Sequence, residues 1–128
     1  YKSYPIKRMN SFFLHADALL VTLLDKKVFN MTIPGKIQFY LSSGIPIIGM
    51  IGGEGAQIIK ESDSGMVCKP GDYRKLSKII SKMINLNKSN LIKMGKNGKN
   101  YCEKEFSRTI LINKLNQLLI KETRKKSL

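Results

Sequence analysis

Cysteine and histidine are scarce in this chain of 128 residues, which holds two cysteines and one histidine. Cys68 and Cys102 are far apart and stand in no CxxC or Cys/His pattern. A structural zinc site requires four suitably spaced ligands, and His15 is the one histidine that could be added to the two thiols. We therefore expect no metal site, and two reduced thiols of the kind usual in a cytoplasmic protein.

Long apolar runs are also absent. The longest are ADALLVTLL (16–24) and IPIIGMIGG (45–53), both well short of the roughly 20 residues that a membrane-spanning helix requires. The length and the apolar content of 42% suit a single globular domain that buries most of its apolar surface. No signal peptide is visible. The chain opens with Tyr1 rather than Met, so we expect it to be part of a longer protein.

Acidic residues are few, 9 against 23 basic ones, which gives a net charge of +14. Residues 1–68 carry seven basic and five acidic side chains, whereas residues 69–128 carry sixteen and four. A positive field of that size favours an anionic partner, either phospholipid headgroups or nucleic acid. The alternative is a lysine-rich composition that only solvates helical surfaces. The charge count supports both interpretations equally.

Three short apolar runs between turn signals predict three strands, at 17–24, 46–51 and 65–68. The first two are apolar throughout, which indicates strands buried on both faces of a parallel sheet. Helices are predicted before and between the strands, at 5–16, 34–44 and 55–62. Pro34 starts the second of these helices and Gly44 provides its C-cap. Residues 25–30 are predicted to be a polar loop, and Gly52-Gly53 a turn.

Three more helices are predicted after the last strand. Asp72 caps the first, whose apolar face consists of Leu76, Ile79, Ile80, Met83 and Ile84. The second runs from Ser89 to about Glu105, and its Gly95 and Gly98 predict close packing against a neighbouring helix. The third begins at Ser107 and frays into a basic tail at 121–128. The predicted fold class is α/β, a three-layer Rossmann-like domain with a small parallel sheet and additional C-terminal helices.

A small sheet of this kind leaves an edge to be covered. Three strands are fewer than a self-sufficient doubly wound sheet normally uses. The predicted element order also begins with a helix rather than a strand. We therefore expect a further portion of the same protein to complete the sheet.

The loop Asn30–Pro34 follows the carboxyl end of the first predicted strand, where open α/β sheets bind ligands. The N–H groups of Gly35, Lys36 and Ile37 are predicted to be free donors at the start of the next helix. The helix dipole and the Lys36 ammonium add positive charge there. This arrangement could bind a diphosphate. The alternative is an ordinary strand-to-helix connection whose donors face water, and physical reasoning alone favours that alternative.

Four blocks of the sequence resemble bacterial polysaccharide glycosyltransferases of the group-1 (family four) type. TIPGKIQFYLSSGIPIIG (32–49) resembles the family's Pro-Ser-Lys-x-x-x-Tyr-Leu-Ala-Ala-Gly-x-Pro-Ile, and GGEGA (52–56) its Gly-Glu-(Gly/Ala)-Ala. GMVCKPGD (65–72) and MGKNGKNYCEKEFS (94–107) resemble two later family motifs. The matches run in register from about Ala16 to Leu115. The matching residues are Pro34, Lys36, Tyr40, Leu41, Gly44, Pro46, Ile47, Gly53, Glu54, Gly55, Ala56, Gly65, Val67, Pro70 and Asp72.

The resemblance implies that residues 1–128 are part of the C-terminal, donor-binding domain of a two-domain glycosyltransferase. Such enzymes transfer a sugar with retention and without a metal ion or other cofactor. The donor is a nucleotide-diphosphate sugar, UDP being the favoured nucleotide. The acceptor would be a lipid-linked or surface-polysaccharide precursor at the inner face of the cytoplasmic membrane. Without the N-terminal domain, the chain is expected to be inactive.

The implied donor-binding residues lie in the first two blocks. They are Thr32, Ile33, Pro34, Gly35, Lys36, Gln38, Gly53, Glu54 and Gly55. Two glutamates that many family members place around this helix are replaced here by Met31 and Phe39, which cannot accept hydrogen bonds from ribose hydroxyls. That departure favours the subgroup of wall- and O-antigen-type enzymes whose helix reads Lys-Ile-Gln-x-Tyr-Leu. No residue is assigned as catalytic.

Two side chains that could take part in chemistry have simpler explanations. Glu54 could approach the transferred sugar, but an acidic residue also stabilises the start of a helix. His15 is predicted to be a packed or surface residue rather than a general base. Two other functions remain open: a non-catalytic α/β nucleotide-binding or interaction module, and a basic nucleic-acid-binding domain. The last is disfavoured because no nucleic-acid motif or interleaving of aromatic and basic residues supports it.

Overall fold

The computed structural model describes Pro5 and residues 8–126, with Asn10 and Lys126 described by their backbone alone. It is a mixed α/β structure with a small, open, three-stranded parallel sheet. Tyr4 and Ile6, at the start of the predicted N-terminal helix, lie outside the described residues. The elements are α1 (Met9–Phe13), β1 (Leu19–Thr22), α2 (Lys27–Asn30), α3 (Gly35–Ser43), β2 (Ile47–Met50), α4 (Gly53–Glu61), β3 (Gly65–Cys68), α5 (Tyr73–Ile84), α6 (Lys88–Phe106) and α7 (Arg108–Lys126).

The three strands lie side by side in the order β1-β2-β3 and are all parallel. Leu19 pairs with Ile47, and Ile47 with Gly65. Because the spatial order follows the chain order, right-handed crossovers place α3 and α4 on the same face of the sheet. All three strands therefore point their carboxyl ends toward one edge.

The face under α3 and α4 holds the larger part of the core. Ile37 and Leu41 of α3 and Ile59 of α4 are almost completely buried against Ile47 and Ile51. Burying an aliphatic side chain of this size contributes about 1.5–3 kcal/mol before entropy is counted. The predicted boundaries of α3 are confirmed at both ends, since Pro34 is its N-cap and Gly44 its C-cap, with the left-handed φ of 72° that favours glycine.

The opposite face is covered by α5. Ile79 and Met83 pack against Ile48 and Cys68. Asp72 caps α5 as predicted, its Oδ1 accepting a hydrogen bond from the Lys75 N–H at 2.9 Å. The predicted apolar face of this helix is only partly buried.

The prediction that β1 is buried on both faces is wrong. Its residues alternate between buried and exposed, and Leu20 is 50% exposed. Leu24, just after the strand, is 67% exposed. Within residues 8–126 no helix covers this face of β1, whereas β2 lies between two strands and under helices on both faces.

Helix α6 lies across the amino edge of the sheet and confirms the predicted close packing of its glycines. A Cβ on Gly95 would overlap the carbonyl oxygen of Gly44. A Cβ on Gly98 would lie 2.9 Å from the Cβ of Ser64 and 3.1 Å from Leu41 Cδ2. The absence of these two side chains lets α6 approach the residues between α3 and β2.

Three further boundaries differ from the prediction. The polar stretch 25–30 contains the short helix α2, whose turn is closed by hydrogen bonds to Lys26 and Lys27 carbonyls. Helix α4 begins at Gly53, inside the predicted turn. The basic tail does not fray at 121, because α7 continues to Lys126. None of the helices in the described part of the chain is long and apolar enough to cross a membrane.

Candidate anion-binding site at the carboxyl edge

The chain segments that leave the three strands meet around Asn30 at the carboxyl edge of the sheet. The Asn30 side-chain amide donates a hydrogen bond to Asp25 Oδ1 at 2.8 Å. Gly53 has a φ of +60°, and a Cβ on it would overlap the backbone of Asn30. A Cβ on Gly52 would lie 2.9 Å from Asn30 Oδ1 and 3.8 Å from Pro70 Cδ. The glycine pair therefore allows α2 to close directly onto the start of α4.

The start of α3 is open. Among the described residues, no hydrogen bond is donated by the N–H groups of Gly35 and Lys36. A Cβ on Gly35 would meet nothing within 4 Å, so no side chain fills the corner. Lys36 is exposed and forms no ion pair with another described residue. The start of α3 thus has two backbone donors without a described acceptor and one exposed lysine side chain.

Ile37 does not supply the third free donor that the sequence predicts. Its N–H donates to the Pro34 carbonyl at 2.9 Å, because the first turn of α3 is tightened into an i to i+3 bond. Its side chain is fully buried. The donor set at this helix start therefore consists of Gly35 and Lys36.

Three other predicted site residues have contacts of their own. The Thr32 hydroxyl donates to the Val28 carbonyl at 2.9 Å and so caps the end of α2. Ile33 packs against the core. Gln38 is half-buried, and its carbonyl lies 3.7 Å from the Cys102 thiol, which donates to it. Thr32 and Ile33 thus hold the loop that leads to α3, whereas Gln38 contacts α6.

The start of α4 lies beside the start of α3. Gly55 is buried, and a Cβ on it would come within 2.6 Å of Ile37 Cδ1 and 3.4 Å of Pro34 Cδ. The absence of a side chain at Gly55 thus brings two helix N-termini together, each with partial positive charge. Glu54 is exposed in the first turn of α4, where its carboxylate stabilises the helix dipole.

A hollow of about 730 Å³ lies nearby, between α4 and α5 around the end of β3. Gly52 and Gly53 contribute to its wall, but no residue from Thr32 to Lys36 does. Its polar lining consists of Gln57, Lys60, Lys69, Asp72 and Lys75. The sequence analysis did not identify these lysines, because they become neighbours only when α4 and α5 flank the same edge strand.

The thiol in the wall of this hollow is not activated. Cys68 is buried, and its Sγ donates to the Asp72 carbonyl at 3.7 Å. Burial, and secondarily the Asp72 carboxylate, raise the pKa of Cys68, against a smaller opposing effect of Lys75. The group is therefore a protonated thiol near neutral pH and a poor nucleophile.

The contacts of His15, Phe39 and Tyr40 are with α1 and not with the open corner. His15 is exposed before β1, at the amino edge, with Nδ1 3.0 Å from the Ser11 carbonyl oxygen. Phe39 and Tyr40 contact the Phe13 ring of α1, at centroid distances of 5.3 and 6.0 Å. Met31 is 69% exposed on the loop that leads to α3.

The described residues contain no group of three or more His, Cys, Asp and Glu side chains that could hold a metal ion. No family's sequence profile matches the chain, and neither the curated proteins nor the solved structures contain a significant match to it. The family resemblance therefore rests on the sequence motifs.

Proposed function

We propose that this chain is the donor-binding part of a nucleotide-sugar-dependent glycosyltransferase, and that it binds the donor diphosphate at the start of α3. The observation that carries the proposal is the open corner at Gly35. Two N–H groups that donate to no described residue and the exposed Lys36 side chain belong to this helix start, beside the start of α4. Helix N-termini with free donors are natural binding sites for phosphate groups.

The chemistry proposed for this site is electrostatic. Negative charge builds up on the nucleoside diphosphate as it leaves the sugar. Preorganised N–H groups and a nearby ammonium stabilise that charge in the transition state. Retention at the anomeric carbon and independence of a metal ion are part of the proposal, on the strength of the motif resemblance. Glu54 lies at the adjacent helix start, within the proposed donor-sugar side of the site.

The arrangement of strands and helices supports the same proposal. Helices pack on both faces of the parallel sheet, as in a Rossmann-like domain, and the open corner is at the carboxyl edge, where such domains bind nucleotides. The uncovered face of β1 supports the expectation that a further portion of the protein completes this domain. The proposed partners are that portion, a nucleotide sugar, and a lipid-linked or polysaccharide acceptor, and the proposed location is cytoplasmic.

The direct test is an NMR titration that observes the backbone amides of the chain while UDP, GDP or inorganic pyrophosphate is added. We expect the Lys36→Gln variant to weaken pyrophosphate and UDP binding by about tenfold, as loss of a charge-assisted contact does. Lys88→Gln is the matched control, because Lys88 also opens a helix but lies toward the amino edge of the sheet. Amide shifts should map to residues 31–38. Equal weakening by both substitutions would show general charge attraction and contradict the proposal.

A second candidate, a non-catalytic nucleotide-binding module, is favoured by the 730 Å³ hollow and its three lysines. A phosphorylated ligand held there would contact Lys60, Lys69 and Lys75 and leave the start of α3 free. Lys69→Gln would then weaken UDP binding while Lys36→Gln would not. The same titration therefore distinguishes the two candidates.

A further inference from the structure

Helix α7 leaves the body of the protein after its first turn. Ile110 is half-buried, whereas every residue from 111 to 125 is exposed. Six large aliphatic side chains among them are 45–60% exposed. Five of the six lie on one side of the helix, namely Leu111, Ile112, Leu115, Leu118 and Leu119. A lone helix of this length is only marginally stable in water, and most helices are stabilised by packing of an apolar face.

These five residues form one continuous apolar stripe. With successive residues about 100° apart, they fall within an arc of about 120° around the helix. Lys114, Lys121 and Lys125 form a basic flank within about 60° of one edge of the stripe. Ile120 and Arg124 lie on the opposite side of the helix.

We propose that α7 lies in the plane of an anionic membrane surface. The apolar stripe would enter the boundary between headgroups and acyl chains, and the basic flank would contact the anionic headgroups. The stripe extends over residues 111–119 of the helix, so it would cover about 13 Å of the surface. This inference is independent of the proposed donor site, because it rests on a different helix and holds whether or not the chain binds a nucleotide sugar.

Charge distinguishes a bilayer from a second copy or a nucleic acid as the occupant of this face. Helix α7 carries six basic residues and one acidic residue. A second copy seated on the stripe would bring two like-charged helices together, which opposes association. A nucleic acid would engage the basic flank but leave the apolar stripe in water. An anionic bilayer satisfies both features at once.

Two ion pairs that involve lysines of α7 provide a further test of the proposal. Glu122 lies within the arc of the stripe near its C-terminal end, and its Oε1 is 3.2 Å from Lys125 Nζ. Lys114 Nζ is 3.0 Å from Glu105 Oε2 of α6. The Lys125–Glu122 pair is exposed and the Lys114–Glu105 pair is partly exposed, and exposed pairs are weak enough to exchange for headgroup phosphates. Removal of the Glu122 charge should therefore increase membrane affinity.

The experiment measures co-sedimentation of the chain with vesicles of phosphatidylcholine, alone or with about one third phosphatidylglycerol. We expect Leu115→Gln with Leu118→Gln to lower the partition coefficient about 100-fold. The matched control is Ile120→Gln, which removes an equally exposed aliphatic residue from the other side of the helix and should change it less than about twofold. Lys121→Gln should lower it about fivefold and Arg124→Gln less than about twofold. Glu122→Gln should raise it.

Fluorescence gives an independent measure of orientation, because the sequence contains no tryptophan. We expect a Trp introduced by Leu118→Trp to shift its emission to shorter wavelength on anionic vesicles and to be shielded from an aqueous quencher. A Trp introduced by Ile120→Trp should remain accessible. Unchanged far-UV circular dichroism in buffer would show that the variants fold as the parent does.

Three results would overturn the proposal. The first is vesicle binding that is abolished by salt but insensitive to loss of Leu115 and Leu118, since it would show general charge attraction. The second is a dimer that the same two substitutions dissociate, without vesicle binding by the monomer, since it would show that a second copy covers the stripe. The third is tighter binding to an oligonucleotide than to anionic vesicles at equal salt.

Discussion

Helices α6 and α7 have the same length, 19 residues, but they relate differently to the rest of the protein. Helix α6 is held at the sheet by Gly95 and Gly98, and its larger residues Leu91, Met94, Tyr101 and Phe106 pack against the core. Helix α7 has more large aliphatic residues and leaves nearly all of them exposed. Burial of a helix thus depends on how closely its backbone can approach its neighbours, and apolar content alone does not decide it.

The largest expected change in the free energy of unfolding comes from disturbing the contact between α6 and the connection from α3 to β2. A Cβ on Gly95 would overlap the Gly44 carbonyl oxygen, and backbone cannot move aside as a side chain can. We expect Gly95→Ala to lower the free energy of unfolding by about 3 kcal/mol, measured by urea denaturation.

Gly98→Ala on the same helix is the matched substitution. Its added methyl would lie 2.9 Å from Ser64 Cβ, which moves only with the backbone, and 3.1 Å from Leu41 Cδ2, which can rotate away. This overlap is less severe than that of the Gly95 methyl with the Gly44 carbonyl oxygen. Replacement of a helical glycine also recovers about 1 kcal/mol of helix propensity. We therefore expect a much smaller loss than at Gly95. Equal losses at the two positions would mean that the backbone contact does not fix the position of α6.

The next largest effect is expected in α5, where buried and exposed apolar residues are neighbours. Met83 is 4% exposed and Ile84 is 76% exposed. We expect Met83→Ala to lower the free energy of unfolding by about 2 kcal/mol, because a buried methionine leaves a cavity when truncated. Ile84→Ala should change it by less than about 0.5 kcal/mol. Thermal and urea denaturation of the two variants measure this difference, and similar losses would show that Ile84 is covered in solution.

The fold could be predicted where sequence signals agree with tertiary contacts. Pro34 and Gly44 bracket α3, and Asp72 starts α5, because capping is decided by the local backbone. The exposure of Leu20 could not be predicted, because Leu20 belongs to an apolar run and its environment depends on which elements cover β1. The continuation of α7 to Lys126 was also missed, since the charged tail suggested fraying.

In the candidate site, too, some features follow from a local sequence pattern and others depend on tertiary packing. The open corner at Gly35 was anticipated from a proline-led helix after a strand, which is a local pattern. The loss of the Ile37 donor could not be foreseen, because it depends on whether the first turn closes onto Pro34. The lysines at 60, 69 and 75 were missed because they become neighbours only through the packing of α4 and α5 around β3.

A smaller change in the free energy of unfolding is expected at alkaline pH, where two partly buried side chains of α6 titrate. Burial, followed by the charge of Glu61, raises the pKa of Tyr101, and burial, followed by Glu103, raises that of Cys102. Such a group keeps its proton in the folded state at a pH where the unfolded chain has lost it. The unfolded state then binds fewer protons, so stability falls as pH rises.

The fall should begin near the ordinary thiol value of 9.0 and continue through the ordinary phenol value of 10.0. Urea denaturation at a series of pH values measures it. We expect Tyr101→Phe with Cys102→Ala to flatten the slope of unfolding free energy against pH, whatever the substitutions do to stability at neutral pH. An unchanged slope would mean that these two groups titrate alike in the folded and unfolded chain.

The smallest effect is expected from α7 itself. A chain that ends at Lys114 keeps the half-buried Ile110 and the Lys114–Glu105 ion pair but loses most of the apolar stripe. Because residues 115–125 are exposed, we expect the free energy of unfolding to change by less than about 0.5 kcal/mol. Binding to anionic vesicles should nevertheless be lost. A large loss of stability in the shortened chain would show that α7 folds back onto the body in solution, and the contrast between the two helices would then disappear.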